Sequence, residues 1–97
     1  LSIHAIAWSD GQAAACGRLL PDGHIGRMAV RKPWRGQGVG ALVMEHLMER
    51  ARQRGDREVV LSAQTHAVGF YEKFGFVAEG DEYLDCDIPH RDMRKVL

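Results

Sequence analysis

The sequence predicts a small α/β protein with a mixed β-sheet, and three observations support this fold class. Short strand-like runs separated by Asp10-Gly11 and Pro21-Asp22-Gly23 predict an antiparallel meander of three strands at the N-terminus. A glycine-rich loop and a helical apolar pattern follow the third strand. The apolar run Val59-Val60-Leu61 then predicts a further strand, and a helix that links two strands of one sheet implies a parallel pair.

Length, charge and cysteine usage limit the classes of function. Ninety-seven residues suffice for one domain with a modest core, so we expect a single domain over residues 1–97. Thirteen basic and thirteen acidic side chains balance, which gives no argument for nucleic acid or a membrane as a partner. No apolar run reaches membrane-spanning length and no secretory signal is visible, so we expect a cytoplasmic protein. Cys16 and Cys86 match no metal-ligand spacing, and we expect two buried thiols and no bound metal.

The meander and the first helix are predicted as follows. Strands are expected from Ser2 to Trp8, from Ala13 to Leu20 and from His24 to Val30. The third strand should end before Pro33, since proline cannot donate to a β-ladder. Apolar residues then recur at helical spacing from Val39 to Arg54, and the arginines near the end of this helix complement its dipole in a structural role.

The C-terminal half is predicted as a strand, a second helix and further extended segments. Gly55 caps the first helix, and Glu58 to Ala63 forms the next strand. A helix is expected from Gln64 to Phe74 with Thr65 as its N-cap, and its aromatic residues belong to the core. The remaining extended segments are Phe76-Val77, Glu82 to Asp85 and Arg91 to Val96, the last two joined through residues 87–90.

The loop between the third strand and the first helix has the features of an anion site. Gly36, Gly38 and Gly40 allow positive φ angles and a close approach of backbone to a ligand. The N–H groups and the positive dipole end of the following helix converge there and suit a phosphate group.

Three classes of phosphate-binding loop can be compared with this segment. A Walker A loop is rejected because Ala41-Leu42 stands where that loop needs Lys and Ser or Thr. The dinucleotide pattern G-x-G-x-x-G/A is met formally by Gly36, Gly38 and Ala41, with Glu58 at a suitable distance for a ribose contact. That pattern fits poorly, since a charged segment with a proline separates the strand from the glycines. The third class, R-x-x-G-x-G, is met by Arg35, Gly38 and Gly40.

With the whole run V-x-x-P-x-R-G-x-G-x-G, from Val30 to Gly40, the sequence resembles the GNAT superfamily of acyl-CoA-dependent N-acyltransferases. The resemblance implies that the loop wraps the pyrophosphate of coenzyme A and that the preceding strand binds the pantetheine arm. It implies acetyl-CoA as the acyl donor, bound by Met28, Ala29, Val30, Arg35, Gly36, Gln37, Gly38, Val39, Gly40, Gln64 and Tyr71.

Two further motifs strengthen the resemblance. The family pattern N-x-x-A-x-x-x-Y-x-x-x-G-F is met between Gln64 and Phe76, with Gln in place of Asn. The tail is similar to the ElaA-type branch, whose pattern G-x-x-Y-x-x-x-x-I-P-H-x-x-M is met between Gly80 and Met93. The full family domain has a strand and one or two helices before the meander, so we expect an N-terminally shortened form. The sheet surface that this leaves uncovered also makes a homodimer one expectation.

The resemblance implies that a primary amine, carried by a small molecule or a peptide, attacks the acetyl thioester directly. Tyr71 occupies the position from which the superfamily often protonates the leaving thiolate, although a core tyrosine is the alternative. The residue that takes the proton from the amine is open. His24, at the start of the third strand, is one candidate, and His66 and His90 are the alternatives. Glu82, in an acidic stretch, and His90 are expected to bind the acceptor, and Lys73 is most simply a solvated side chain.

Two other functions remain open at this point. The first is a non-catalytic acyl-CoA-binding module, which keeps the donor site and lacks the acceptor wall. The second is a dinucleotide-binding module, which the formal match of the glycine pattern allows.

Overall fold

Three antiparallel strands and one long helix form the first of two units in the computed structural model, which describes residues 2–97. The first unit ends at Asp56. It contains β1 (Ile3–Ser9), β2 (Gln12–Leu19), β3 (Ile25–Val30) and α1 (Val39–Arg54), with one turn of 3₁₀ helix at Lys32–Trp34. The second unit, from Arg57, contains β4 (Glu58–Gln64), a 3₁₀ turn (Thr65–Ala67), α2 (Val68–Glu72), β5 (Val77–Asp85) and β6 (Ile88–Val96).

The meander of the first unit confirms the predicted order β1-β2-β3. Asp10 and Gly11 link the first two strands with φ values of 51° and 75°. Positive φ at both central residues is the requirement of a type I′ hairpin, whose twist matches that of the strands. The second turn is closed by a hydrogen bond from the Gly23 N–H to the Leu20 carbonyl (3.1 Å).

Helix α1 begins and ends at the predicted residues. Gly55 ends it with a φ of 90°, and its N–H donates to the Ala51 and Arg52 carbonyls. The guanidinium of Arg54 donates to Asp56 Oδ2 (2.5 Å) and to the Leu20 carbonyl (2.8 Å), and the hydrogen bond with Asp56 raises the pKa of Arg54. This contact ties the end of the helix to the β2–β3 turn, in agreement with the structural role predicted for Arg54.

The core of the first unit lies between α1 and the sheet. Leu19 of β2 and Met44 and Leu47 of α1 are fully buried. Gly17 of β2 gives the helix room: a Cβ atom there would lie 2.5 Å from the sulfur of Met28 and 2.9 Å from side-chain carbons of Val43 and Leu47. The close packing of helix on sheet therefore depends on this glycine.

The second unit is an antiparallel sheet in the order β4-β6-β5. Alternation along the strands separates a buried face, which carries Val59, Leu61 and Met93, from an exposed face. The register sets Leu61 opposite Met93. Phe76 is also buried, while Phe70 and Phe74 are half-buried.

The predicted α/β class, N-terminal meander and two helices are confirmed, but the expected parallel strand pair differs from the observed ladders. β3 and β4 belong to different three-stranded sheets, and every ladder within residues 2–97 is antiparallel. β4 forms seven consecutive pairs with β6 instead. A helix between β3 and β4 does not decide which strand β4 pairs with, so it is compatible both with a parallel β3–β4 pair and with the observed antiparallel β4–β6 pair.

Other predicted boundaries in the second unit were wrong. Gln64 ends β4 and does not begin a helix, and α2 is only five residues long. The predicted N-cap, Thr65, instead opens the 3₁₀ turn and donates its hydroxyl to Glu82. β5 runs from Val77 to Asp85, with a register irregularity between Glu79 and Tyr83, and residues 88–90 belong to β6.

The β5–β6 turn explains two of these errors. Cys86 and Asp87 form it with φ values of 52° and 62°, so the hairpin has no glycine signal. Pro89 lies in β6 opposite Leu84 of β5. The pairing of β6 with β4 ends at His90, so the N–H that Pro89 lacks is not needed for a hydrogen bond to β4. Cys86 is exposed, so the prediction of two buried thiols was wrong for this residue.

Within residues 2–97, neither helix combines the length and the apolar composition that a membrane span requires.

Candidate active site

The glycine-rich loop places the start of α1 at an open end of the first unit. Gly36 and Gly38 adopt φ values of 79° and 81°, and nothing lies within 4 Å of the position of a Cβ at either residue. Gly38 is the N-cap of α1 and has no side chain to cap it, and the first helical bond runs from the Leu42 N–H to the Gly38 carbonyl (3.2 Å). The N–H groups of the first turn therefore point outward with the positive end of a 16-residue helix, an arrangement that suits phosphate.

Two side chains brace this loop. Arg35 Nε donates to the carbonyl of Val30 (3.1 Å), which holds the exposed guanidinium beside the end of β3. Gln37 Nε2 donates to the carbonyl of Pro33 (2.9 Å) across the 3₁₀ turn. Gly40 and Val39 lie in the first turn of α1, where Gly40 is buried.

Strand β3 supplies a second feature of the first unit. It is the last strand in the order β1-β2-β3, so its outer edge has no ladder partner among residues 2–97. Met28 and Val30 are half-buried, and Ala29 is exposed. Alternate N–H and C=O groups along this edge are suited to an extended ligand with amide groups.

His24 stands just before β3 in an exposed position. Its side chain is 56% exposed, and its Nδ1 lies 3.1 Å from Asp22 Oδ1. The His24 backbone N–H donates to the same carboxylate, and this bond lowers the pKa of Asp22. His24 thus belongs to the turn that leads into the strand.

Tyr71 lies on α2 in an aromatic cluster of the second unit. Its ring makes edge-to-face contacts with Phe70 (5.1 Å between centroids) and Phe76 (6.1 Å). Burial raises the pKa of Tyr71 above its ordinary value. The geometry is compatible with both predicted roles, core tyrosine and proton donor.

The tail motif forms a polar cluster on the exposed face of the second sheet. His90 of β6 lies opposite Gln64 of β4 and Tyr83 of β5, and the Tyr83 and His90 rings stack at 6.1 Å. The Tyr83 hydroxyl donates to Asp92 Oδ1 (2.6 Å) and hydrogen-bonds Ser62 Oγ. The bond to Asp92 raises the pKa of Tyr83.

The two predicted acceptor-binding residues already have partners in the unit. Glu82 accepts a hydrogen bond from the Thr65 hydroxyl (2.8 Å), and His90 Nδ1 lies 2.7 Å from the Ile88 carbonyl. His66 is exposed on the 3₁₀ turn.

Sequence reasoning missed the part that Ser62 and Asp92 play in this cluster. Alternation in β4 and β6 could have placed each residue on an exposed face. Only the register of the two strands sets them opposite each other, and the sequence contains no signal for that register.

Comparison with solved structures shows that the chain has the acyl-CoA N-acyltransferase fold. A crystal structure of an acyl-CoA N-acyltransferase from Pseudomonas aeruginosa superposes with a TM-score of 0.86 at 40% identity, covering 98% of this chain and 68% of that one. Escherichia coli ElaA superposes with a TM-score of 0.88 at 32% identity, covering 97% of this chain and 67% of ElaA.

Sequence comparison gives the family directly. Residues 2–97 match the acetyltransferase (GNAT) domain family. YjcF of Bacillus subtilis, named as an uncharacterized N-acetyltransferase, is 37% identical over 98 residues, covering 97% of this chain and 70% of YjcF. The chain spans about two thirds of the length of the curated relatives it matches. The chain belongs to the GNAT acetyltransferase family, and the resemblance to ElaA is confirmed.

Proposed function

We propose that this chain is an N-acetyltransferase that transfers the acetyl group of acetyl-CoA directly to a primary amine in a ternary complex. The observation that carries the proposal is the open N-terminus of α1 behind the positive-φ residues Gly36 and Gly38, in a chain of the GNAT family. We also propose that residues 1–97 act as one functional domain, because candidate site residues occur in both units.

The donor is bound by groups of the first unit. The pyrophosphate accepts hydrogen bonds from first-turn N–H groups of α1, and the guanidinium of Arg35 supplies positive charge. The pantetheine arm pairs with the outer edge of β3 at Met28, Ala29 and Val30. A backbone N–H of that edge polarises the thioester carbonyl.

Groups of the second unit act on the leaving group and on the acceptor. Tyr71, whose phenol carries its proton at neutral pH, donates that proton to the departing thiolate. Gln64 donates a hydrogen bond from its amide to the pantetheine, and Glu82 and His90 bind the amine.

An alkylamine is almost fully protonated at pH 7, so a base is needed to remove its proton. We propose His24, in the first unit, as this base.

Donor binding is tested first, by calorimetric titration of the full chain with acetyl-CoA, CoA and NAD. We expect both CoA forms to bind and NAD not to bind. Gly38→Ala should weaken acetyl-CoA binding at least about tenfold, because a Cβ interferes with both the positive φ and the approach of the phosphate.

A matched control separates the loop from general backbone strain. Gly55 has a similar φ of 90° and equally open surroundings at the other end of the same helix. Gly55→Ala should therefore cost comparable stability and leave the affinity for acetyl-CoA unchanged. Equal losses in both variants, or binding of NAD in place of CoA, would contradict the proposed donor site.

The transfer step is tested by thiol release from acetyl-CoA with L-lysine, spermidine, kanamycin and a peptide with a free N-terminus. Amine-dependent release identifies the enzyme and its acceptor class. Donor binding without turnover on any of these amines would favour the non-catalytic acyl-CoA-binding module.

A further inference from the structure

The outer edge of β1 and the groove beside it form an exposed apolar surface on the first unit. β1 is the first strand in the order β1-β2-β3, so this edge has no ladder partner among residues 2–97. A groove of about 530 Å³ lies between the strand and α1, and its lining includes residues 4–8, Leu42 and His46. Ile6, Trp8 and Leu42 are each more than half exposed. An apolar groove beside an open strand edge is suited to bind another polypeptide segment.

An arginine without an ionic partner lies on the exposed face of the same sheet. Arg18 of β2 is directly opposite His4, so it shares the face on which Ile6 is exposed. Its Nε atom is buried and has no hydrogen-bond partner among the described residues. On the β3 side Arg18 pairs with Gly26, beside which nothing lies within 4 Å of a Cβ position. The guanidinium therefore lacks a carboxylate and has open space next to it. The surface formed by His4, Ile6, Trp8, Arg18 and Leu42 is called the β1 surface below.

The β5–β6 hairpin of the second unit has the opposite charge. No Lys or Arg occurs between Lys73 and Arg91, and the acidic residues in this interval are Glu79, Asp81, Glu82, Asp85 and Asp87. Asp85 and Asp87, at the tip, are exposed and make no ion pair within the part of the chain that the structure describes. Ile88, also exposed, lies directly opposite Asp85 in the ladder. One face of the tip thus presents a carboxylate beside an apolar side chain.

The same separation of charge holds for the two units as a whole. Residues 1–56 contain eight basic and five acidic side chains, and residues 57–97 contain five basic and eight acidic ones. Two copies of the chain therefore attract each other through unlike units, whereas like units repel. Pairing of two β1 surfaces would leave the Arg18 of each copy without a carboxylate.

We propose that the β5–β6 hairpin of a second copy of this chain docks on the β1 surface. Asp85 of the second copy pairs with Arg18, and Ile88 of the second copy packs against Ile6 and Trp8. The contact satisfies a cation and a carboxylate that have no ionic partner within one copy, and it removes exposed apolar area on both sides from water. The inference does not depend on acetyl transfer.

Sedimentation velocity at protein concentrations from about 10 to 500 µM tests the association. A contact made by one hairpin is small, so we expect a Kd on the order of 100 µM and a mean mass that rises above 10.8 kDa with concentration. Since the contact joins opposite charges, about 0.5 M NaCl should weaken it at least about tenfold. A chain that stays monomeric over the whole range would overturn the proposal.

Two variants remove one side of the contact each. His4→Glu places a carboxylate opposite Arg18 within the same copy, so it pairs the guanidinium and repels the hairpin. Asp85→Lys reverses the charge at the hairpin tip, where the side chain has no ion pair to lose. Each variant alone should be monomeric at concentrations at which the wild type associates. An equimolar mixture should form a 1:1 complex, because one variant keeps its hairpin and the other keeps its β1 surface.

Matched controls separate this contact from general changes in charge. Glu72→Lys makes the same charge change as Asp85→Lys at an exposed position of α2, and Gln53→Glu adds a carboxylate to an exposed position of α1. Both should associate as the wild type does, with far-UV circular dichroism confirming that every variant is folded. Association of Asp85→Lys alone that equals the wild type would indicate pairing of two β1 surfaces and overturn the proposal. A mixture that stays monomeric would also overturn it.

Discussion

At the scale of single residues, the two tyrosines of the chain lie in different surroundings. Tyr71 and Tyr83 both have raised pKa values, but the causes differ: burial for Tyr71 and the Asp92 carboxylate for Tyr83. The Tyr83 phenol already donates its proton to Asp92 Oδ1, whereas the Tyr71 ring packs edge-to-face against Phe70 and Phe76.

Tyr71→Phe distinguishes the proton donor from a core tyrosine. The ring contacts with Phe70 and Phe76 remain, so stability should change little. We expect kcat to fall about 10- to 1000-fold with acetyl-CoA affinity unchanged, because a thiolate also leaves without a proton donor. Steady-state kinetics beside calorimetry measure both quantities, and an unchanged kcat would assign Tyr71 to the core.

Asp22 carries a pH prediction for stability. Its pKa is lowered in the folded chain, chiefly by the His24 backbone N–H. A depressed folded pKa gives stability that is fully present above the unfolded value, near 4, and is lost as the pH falls through the folded value. Asp22→Ala should thus lower the urea midpoint at pH 7, and the difference from wild type should vanish at acid pH. A difference that persists below pH 2 would contradict this assignment.

At the scale of elements, prediction from the sequence was most accurate where a few neighbouring residues determine the backbone conformation. Both ends of α1 follow from glycines at positions that need positive φ, and the β1–β2 hairpin follows from Asp10-Gly11. The β5–β6 hairpin was predicted with too long a connection, because Cys86 and Asp87 form its tight turn without a glycine. The ladder of β4 with β6, and with it the pairing of Ser62 and Asp92, depends on long-range register that local patterns do not contain.

Gly17 tests the packing of α1 on its sheet. Gly17→Ala should destabilise the chain by about 1–3 kcal/mol, since the new Cβ overlaps the sulfur of Met28 and carbons of two helix side chains. Gly26→Ala is the matched control, because that strand glycine has nothing within 4 Å of its Cβ position. Chemical denaturation measures both, and equal effects would rule out overpacking as the cause.

At the scale of the whole molecule, donor binding and stability are coupled by mass action. A ligand that binds only the folded chain adds about 2.7 kcal/mol to the free energy of unfolding at a concentration of 100 Kd. We therefore expect acetyl-CoA at that concentration to raise Tm by roughly 10–20 °C for a domain of this size, and NAD to have no effect. An unchanged Tm with acetyl-CoA would contradict specific binding to the folded state.

The exposed thiol of Cys86 allows the β5–β6 hairpin to be labelled with a thiol-reactive probe. Its thiol projects at the tip of the β5–β6 hairpin, three residues after Tyr83, whereas Cys16 is half-buried within β2. A maleimide fluorophore should therefore modify Cys86 first, and a single-label preparation follows from limiting reagent without any substitution. If Glu82 and His90 bind the acceptor as proposed, fluorescence from that position should report acceptor binding in real time, independently of acetyl transfer.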